Sequence, residues 1–216
     1  MDRNEAVLRE LNLYPQWLRR NQPAAPEVTA AQIDDWPLLK QQVHDCTACR
    51  LRAACTQTVF GTGDEKAEWL LVGEAPGAEE DQQGEPFVGP SGKLLDSMLL
   101  AIGLGRGKNV YIANTVKCRP PDDRTPLADE IATCLPYLQR QIALMQPRLI
   151  VALGKTAADA LLGKQASVDS LRGALHDYRG IPLIITYHPA YLLRSPMEKI
   201  KAWQDLCLAA QTMKKL

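Results

Sequence analysis

The 216-residue chain reads as an α/β protein, with three layers (α/β/α) around a central, mostly parallel four-stranded sheet. Three observations predict it. Short apolar runs alternate with helix-length segments, the pattern of βα units. At 46% hydrophobic and 23% charged residues, there is enough apolar content to bury one sizeable core plus an appendage. The stretches following the apolar runs are rich in polar and glycine residues, as expected where an open α/β sheet presents its ligand crevice.

In chain order, the stretch from Asn4 to Arg20 carries Val7, Leu8, Leu11, Leu13, Trp17 and Leu18 at helix-like spacing, broken near Pro15. Residues 1–20 are thus an N-terminal extension, 21–28 a proline- and alanine-bearing linker, and 29–216 the main domain. From Thr29 to Asp45 the positions of Ile33, Leu38, Leu39 and Val43 predict a helix that delivers Cys46 and Cys49, with Pro37 early in it. The predicted strands are Glu68–Val72, Val110–Asn114, Arg148–Leu153 and Leu183–Tyr187. The helices between and after them are Ser91–Ile102 with Ser91 as N-cap, Leu127–Met145, Thr156–Leu162 and Pro196–Met213.

Formal net charge is zero, which argues against coating nucleic acid by bulk electrostatics and leaves only local basic patches, such as Lys117 to Arg124. The start of the chain has no basic region leading into an apolar run, and no eighteen apolar residues stand together, so a cytoplasmic protein without membrane contact is expected. In that reducing compartment cysteines stay free or bind metal rather than pair. Cys46, Cys49, Cys118 and Cys134 form a quartet that closes only when distant segments meet; four thiolates suit zinc or an iron–sulfur cluster, and spacing does not choose between them. Cys55 and Cys207 lie outside it.

Two nucleotide-motif look-alikes fail on detail. Gly103-Leu104-Gly105-Arg106-Gly107 lacks a dinucleotide fingerprint's spacing, and Gly154-Lys155-Thr156 lacks the glycine that precedes a phosphate loop. More informative are Glu74, Asn114 and His188, each just at or past the end of a predicted strand, with Phe87 in a Gly/Pro-rich loop. An acid, an amide, an imidazole and an aromatic platform can together stack on, read and polarise an extruded nucleobase.

The runs Gly73-Glu74-Ala75-Pro76-Gly77, Pro86-Phe87-Val88-Gly89, Asn114-Thr115-Val116-Lys117-Cys118-Arg119-Pro120-Pro121 and Thr186-Tyr187-His188-Pro189-Ala190-Tyr191-Leu192-Leu193-Arg194, with the cysteines in order, resemble the family 4 uracil-DNA glycosylases. The resemblance spans Leu39 to the C-terminus. It implies a [4Fe–4S] cluster on Cys46, Cys49, Cys118 and Cys134, and uracil-containing DNA, single- or double-stranded, as substrate. Phe87 would stack on the flipped base, Asn114 would read its edge, and His188 would stabilise the leaving uracil anion. Related enzymes carry an Asp or Asn where this chain has Ala75, so water orientation would fall to Glu74 or Glu80, the latter also able to screen against the thymine methyl group. Lys117, Arg119, Arg124 and Arg194 would contact phosphates, and Leu192 would wedge the emptied stack. No lysine is placed as a Schiff-base nucleophile and no histidine lies between Lys117 and Pro126, which implies turnover by a monofunctional enzyme; a monomer associated with the nucleoid is expected. Leu8 to Arg20 resembles the start of the psi subunit of the replicative polymerase's clamp-loader assembly, implying a tether through residues 1–20. The rival readings are a cluster protein that binds DNA without turnover and a partner-docking module.

Overall fold

The computed structural model describes residues 35–216; the extension, the linker and the start of the first predicted helix lie outside them. The described residues belong to the second of two units of the chain. Within the second unit the elements are α1 (Trp36–His44), α2 (Leu51–Ala54), β1 (Thr62–Gly63), β2 (Trp69–Gly73), α3 (Ala78–Gln83), α4 (Pro90–Ala101), β3 (Val110–Asn114), α5 (Ala128–Met145), β4 (Leu149–Leu153), α6 (Lys155–Leu162), α7 (Val168–Leu171), β5 (Leu175–Tyr178), β6 (Ile181–Thr186), α8 (Pro189–Arg194) and α9 (Lys199–Met213).

The sheet has six strands in the order β1-β3-β2-β4-β6-β5, two more than expected. The four predicted strands form its parallel centre, and the two additions are antiparallel edges, β1 on β3 and β5 on β6. Sequence patterning missed them because β1 is two residues long and β5, Leu-His-Asp-Tyr, has neither an apolar run nor much burial. Every residue of β2, β3 and β4 is buried, as parallel strands covered on both faces must be.

Alternate side chains feed two cores. On one face Leu70, Val72, Tyr111, Ala113, Ile150 and Ala152 meet Leu138, Ile142 and Met145 of α5. On the other, Leu71, Ile112, Val151 and Leu153 meet Leu95 and Leu99 of α4 and Ala209 of α9. Each such fully buried Leu or Ile contributes roughly 1.5–3 kcal/mol relative to exposure. The described part of the first helix begins at Trp36, capped by the Asp35 carboxylate on the Leu38 N–H at 2.8 Å with proline in the first turn. The N-cap of α4 is Gly89 rather than Ser91, because Pro90 takes the first helical position. No described helix is long and apolar enough to cross a membrane.

Candidate active site and cysteine centre

The parallel register brings the chemistry-bearing strand ends together. Gly73 of β2 pairs with Asn114 of β3, so Glu74 emerges beside the Asn114 side chain; across β4, Leu153 pairs with Thr186 of β6, two residues before His188. Glu74, Asn114 and His188 line one cleft with Phe87, of about 270 Å³, whose lining includes Arg124 and Arg194.

Asn114 is 2% exposed, and its Oδ1 is buried with no donor from the protein. Nothing but glycine fits at position 73, where a Cβ would lie 2.4 Å from that oxygen and 2.7 Å from the Phe87 ring. The Asn114 carbonyl accepts from the Lys117 ammonium at 3.0 Å, and the same Nζ donates to Gln141 Oε1 at 2.7 Å.

Phe87 is held in the left-handed region at φ 57°, an uncommon conformation for a bulky residue. Three contacts impose it. Arg106 donates to the carbonyls of Pro86 at 2.8 Å and Phe87 at 2.7 Å; Glu80 accepts the N–H groups of Val88 at 3.1 Å and Gly89 at 3.4 Å; and Gly92 leaves room for the Phe87 carbonyl, which a Cβ there would meet at 1.7 Å. Arg106 was missed by sequence reasoning. Its signal was the glycine cluster around it, which fails as a nucleotide motif and reads only as a turn.

His188 packs its ring on Phe87 with centroids 5.4 Å apart at 30°. Its Nδ1 accepts the Ala190 N–H at 3.2 Å as it caps α8, so the neutral ring carries its proton on Nε2. Burial, with a smaller push from the Arg194 charge, lowers its pKa to about 4, so the ring is neutral at physiological pH. On the other side of the cleft the Glu74 carboxylate accepts the Thr156 hydroxyl.

Five predicted site residues stand in surroundings that their motifs did not show. Lys117 is not a phosphate contact: it is 2% exposed, and burial lowers its ammonium to about 8 against the opposing pull of Cys134. Leu192 cannot wedge into DNA, since it is fully buried against Tyr187 and Ala202; its neighbour Leu193 is 43% exposed. Glu80 is not a free base, because its carboxylate is committed to backbone N–H groups, including Gly77 at 3.1 Å. Arg119 and Arg124 are already paired, with Asp123 at 2.7 Å and Glu130 at 2.7 Å respectively.

Of the cysteines, Cys118 and Cys134 are buried together with Leu51 and Val116, and Cys49 packs on them. Cys134 is within electrostatic range of Cys46 and Cys49, and its sulfur accepts the Lys117 backbone N–H at 3.2 Å. Among the described residues no three ligating side chains stand close enough to share a single ion. A cubane cluster binds each thiolate to a different iron, which spreads the sulfurs more widely than one tetrahedral ion does. The all-sulfur donor set in an apolar shell therefore fits a cluster. Burial also pushes the Cys118 thiol up, and the Cys134 thiol to about 11, so bare thiolates here need cations beside them. Cys55, outside the quartet in the sequence reading, is a third buried cysteine beside Cys118 and Cys134, hydrogen-bonded to Cys118. Glu130 draws the cysteine-bearing segments together: it bonds Arg124 at 2.7 and 2.8 Å, Arg50 next to Cys49 at 3.0 Å, and the Leu127 N–H at the start of α5. Led by the Arg124 bonds, these hold its carboxyl at about 2.

The model of the uracil DNA glycosylase superfamily matches residues 60–207. The chain is similar to the type-4 uracil-DNA glycosylase of Pyrobaculum aerophilum, at 41% identity over 182 residues, covering 81% of this chain and 92% of that protein. It is similar to the type-4 uracil-DNA glycosylase of Thermotoga maritima, at 43% identity over 166 residues, 76% of this chain and 86% of that protein. A type-5 uracil-DNA glycosylase of Pyrobaculum aerophilum is more distant, at 31% identity over 146 residues. The strand-end cleft lies inside residues 60–207, together with Cys118 and Cys134, and the chain belongs to the uracil DNA glycosylase superfamily, in its type-4 family.

Proposed function

We propose that the protein is a monofunctional uracil-DNA glycosylase, hydrolysing the N-glycosidic bond of a deoxyuridine flipped out of DNA and so beginning base excision repair. The observation that carries the reading is Asn114, which lines the cleft and whose buried Oδ1 has no donor from the protein. Uracil N3–H supplies that donor, while Nδ2 donates to uracil O4. Cytosine presents an acceptor at N3 and an amine at C4, reversing both contacts.

With the base stacked on Phe87, the N1–C1′ bond breaks and its electron pair leaves with uracil. The charge growing on O2 meets the His188 Nε2–H, a neutral donor aimed before reaction begins; such donors are worth about 3–4 kcal/mol in comparable oxyanion sites. A water then adds its oxygen to C1′, oriented by Glu74, whose carboxylate takes the departing proton on its way to solvent. Lys117, tied to Asn114 and Gln141, is unavailable as a Schiff-base nucleophile, which supports hydrolysis without lyase action.

Cys46, Cys49, Cys118 and Cys134 would hold a [4Fe–4S] cluster, which supplies a structural cross-link between the first cysteine loop, the strand-end loop and α5. Arg194 and Arg124 on the cleft rim meet the phosphates, with Leu193 rather than Leu192 filling the emptied stack. The protein would act as a monomer on single- or double-stranded DNA in the cytoplasm, at the nucleoid. The resemblance of residues 8–20 to the psi subunit supports a clamp-loader tether.

The test is uracil release from a uracil-containing oligonucleotide by anaerobically purified protein, with alkaline cleavage reporting abasic sites. Release that falls about 100- to 1,000-fold in His188→Ala is expected; no release from folded, cluster-loaded protein refutes the assignment.

A further inference from the structure

The turn Gly154-Lys155-Thr156, a phosphate-loop look-alike in sequence, sits where the sheet order makes it matter. β4 lies between β2, which delivers Glu74, and β6, which delivers His188. The turn that leaves β4 is therefore flanked by both groups. Gly154 takes φ 92°, its N–H donates to the Thr186 carbonyl at 2.8 Å, and a Cβ on it would meet His188 Cβ at 2.9 Å. The first turn of α6 is thereby pinned under the cleft. Lys155 does not face a ligand, since its ammonium pairs with Asp159 one turn on. Thr156, 9% exposed, directs its hydroxyl across to the Glu74 carboxylate.

We propose that Thr156 is the positioning residue of the hydrolytic step, fixing the rotamer of Glu74 so that the carboxylate's other oxygen faces the attacking water. The proposal rests on the reading of Glu74 as the water-orienting group. A glutamate has three rotatable side-chain bonds, and an unanchored carboxylate spreads over several rotamers, only some of which reach the reacting carbon. Thr156 touches neither base nor sugar. Its hydroxyl hydrogen goes to one carboxylate oxygen, leaving the lone pairs of the second for the water.

The experiment compares cluster-loaded Thr156→Val, Thr156→Ser, Glu74→Gln and the Thr156→Val/Glu74→Gln double variant. Single-turnover rates are measured on a uracil-containing single strand, with affinity for the same strand measured by anisotropy. Valine keeps the shape of threonine; Thr156→Ala serves in its place if the added methyl lowers the melting temperature. The expected result is a rate roughly 10- to 100-fold lower in Thr156→Val, the range lost with one hydrogen bond to a charged group. Affinity should stay within about twofold, Thr156→Ser should recover most of the rate, and the double variant should be no slower than Glu74→Gln alone, because both act through one group. A slow Glu74→Gln beside a Thr156→Val at the wild-type rate overturns the role of Thr156 while leaving that of Glu74 intact. A loss in the double variant equal to the product of the two single losses overturns it also. A Glu74→Gln at the wild-type rate removes the reading on which the proposal rests.

Discussion

Replacing Asn114 by leucine should move stability and activity in opposite directions. In the free protein the buried Oδ1 has no donor from the protein, and an unsatisfied buried acceptor costs about 1–3 kcal/mol. Leucine has nearly the same shape and no polar atom, so Asn114→Leu removes that cost; at about 2–4 °C per kcal/mol for a chain of this size, the melting temperature should rise by roughly 2–12 °C. Catalysis loses two hydrogen bonds to the base and leaves N3–H and O4 of uracil unpaired in a closed cleft. At about 1–3 kcal/mol each, kcat/KM should fall by roughly 30- to 25,000-fold. Calorimetry and single-turnover excision on one preparation supply both numbers. A variant that melts several degrees lower, or excises uracil within about threefold of wild type, refutes the argument that Asn114 is held open for the base.

For His188, a pKa near 4 against about 6.5 in an unfolded chain means that the folded protein binds fewer protons between those values. Its contribution to stability is complete above pH 6.5 and declines as pH falls through 4, and excision should show no His188-dependent loss between pH 8 and 5; an NMR titration midpoint near 6.5 would contradict this. Lys117→Met should lower the melting temperature, by leaving the Asn114 carbonyl and Gln141 amide oxygen without their donor, yet leave the salt dependence of DNA binding unchanged. Arg194→Ala should do the reverse, reducing the slope of log affinity against log salt by about 1 in equilibrium titrations. Glu130 carries a carboxyl depressed to about 2, so its ion pairs contribute above the unfolded value near 4.5 and are lost as pH falls through 2. Glu130→Ala, by releasing Arg124 and Arg50, should lower iron per chain in metal analysis and destabilise the protein at neutral pH more than at acid pH.

How far the sequence determined this protein follows from the range over which each signal acts. The four central strands were legible to within a residue or two, because strands covered on both faces need apolar side chains at nearly every position. Glu74, Asn114 and His188 could be placed on one rim for the same reason, since a parallel sheet puts all its carboxyl ends on one side. The direction in which a side chain points carries no such local mark. Lys117 and Leu192 read as phosphate contact and wedge because motif proximity put them near DNA, and only tertiary packing turned the lysine in beneath Asn114 and buried the leucine against Tyr187. The converse holds for Arg106 and Thr156, which sit in motifs that fail as nucleotide signatures and gain a role only when Phe87 and Glu74 arrive from distant segments. Periodicity and strand ends are properties of neighbouring residues, so one chain suffices to read them; which polar group satisfies which is settled between segments dozens of residues apart, where burial makes an unpaired partner costly.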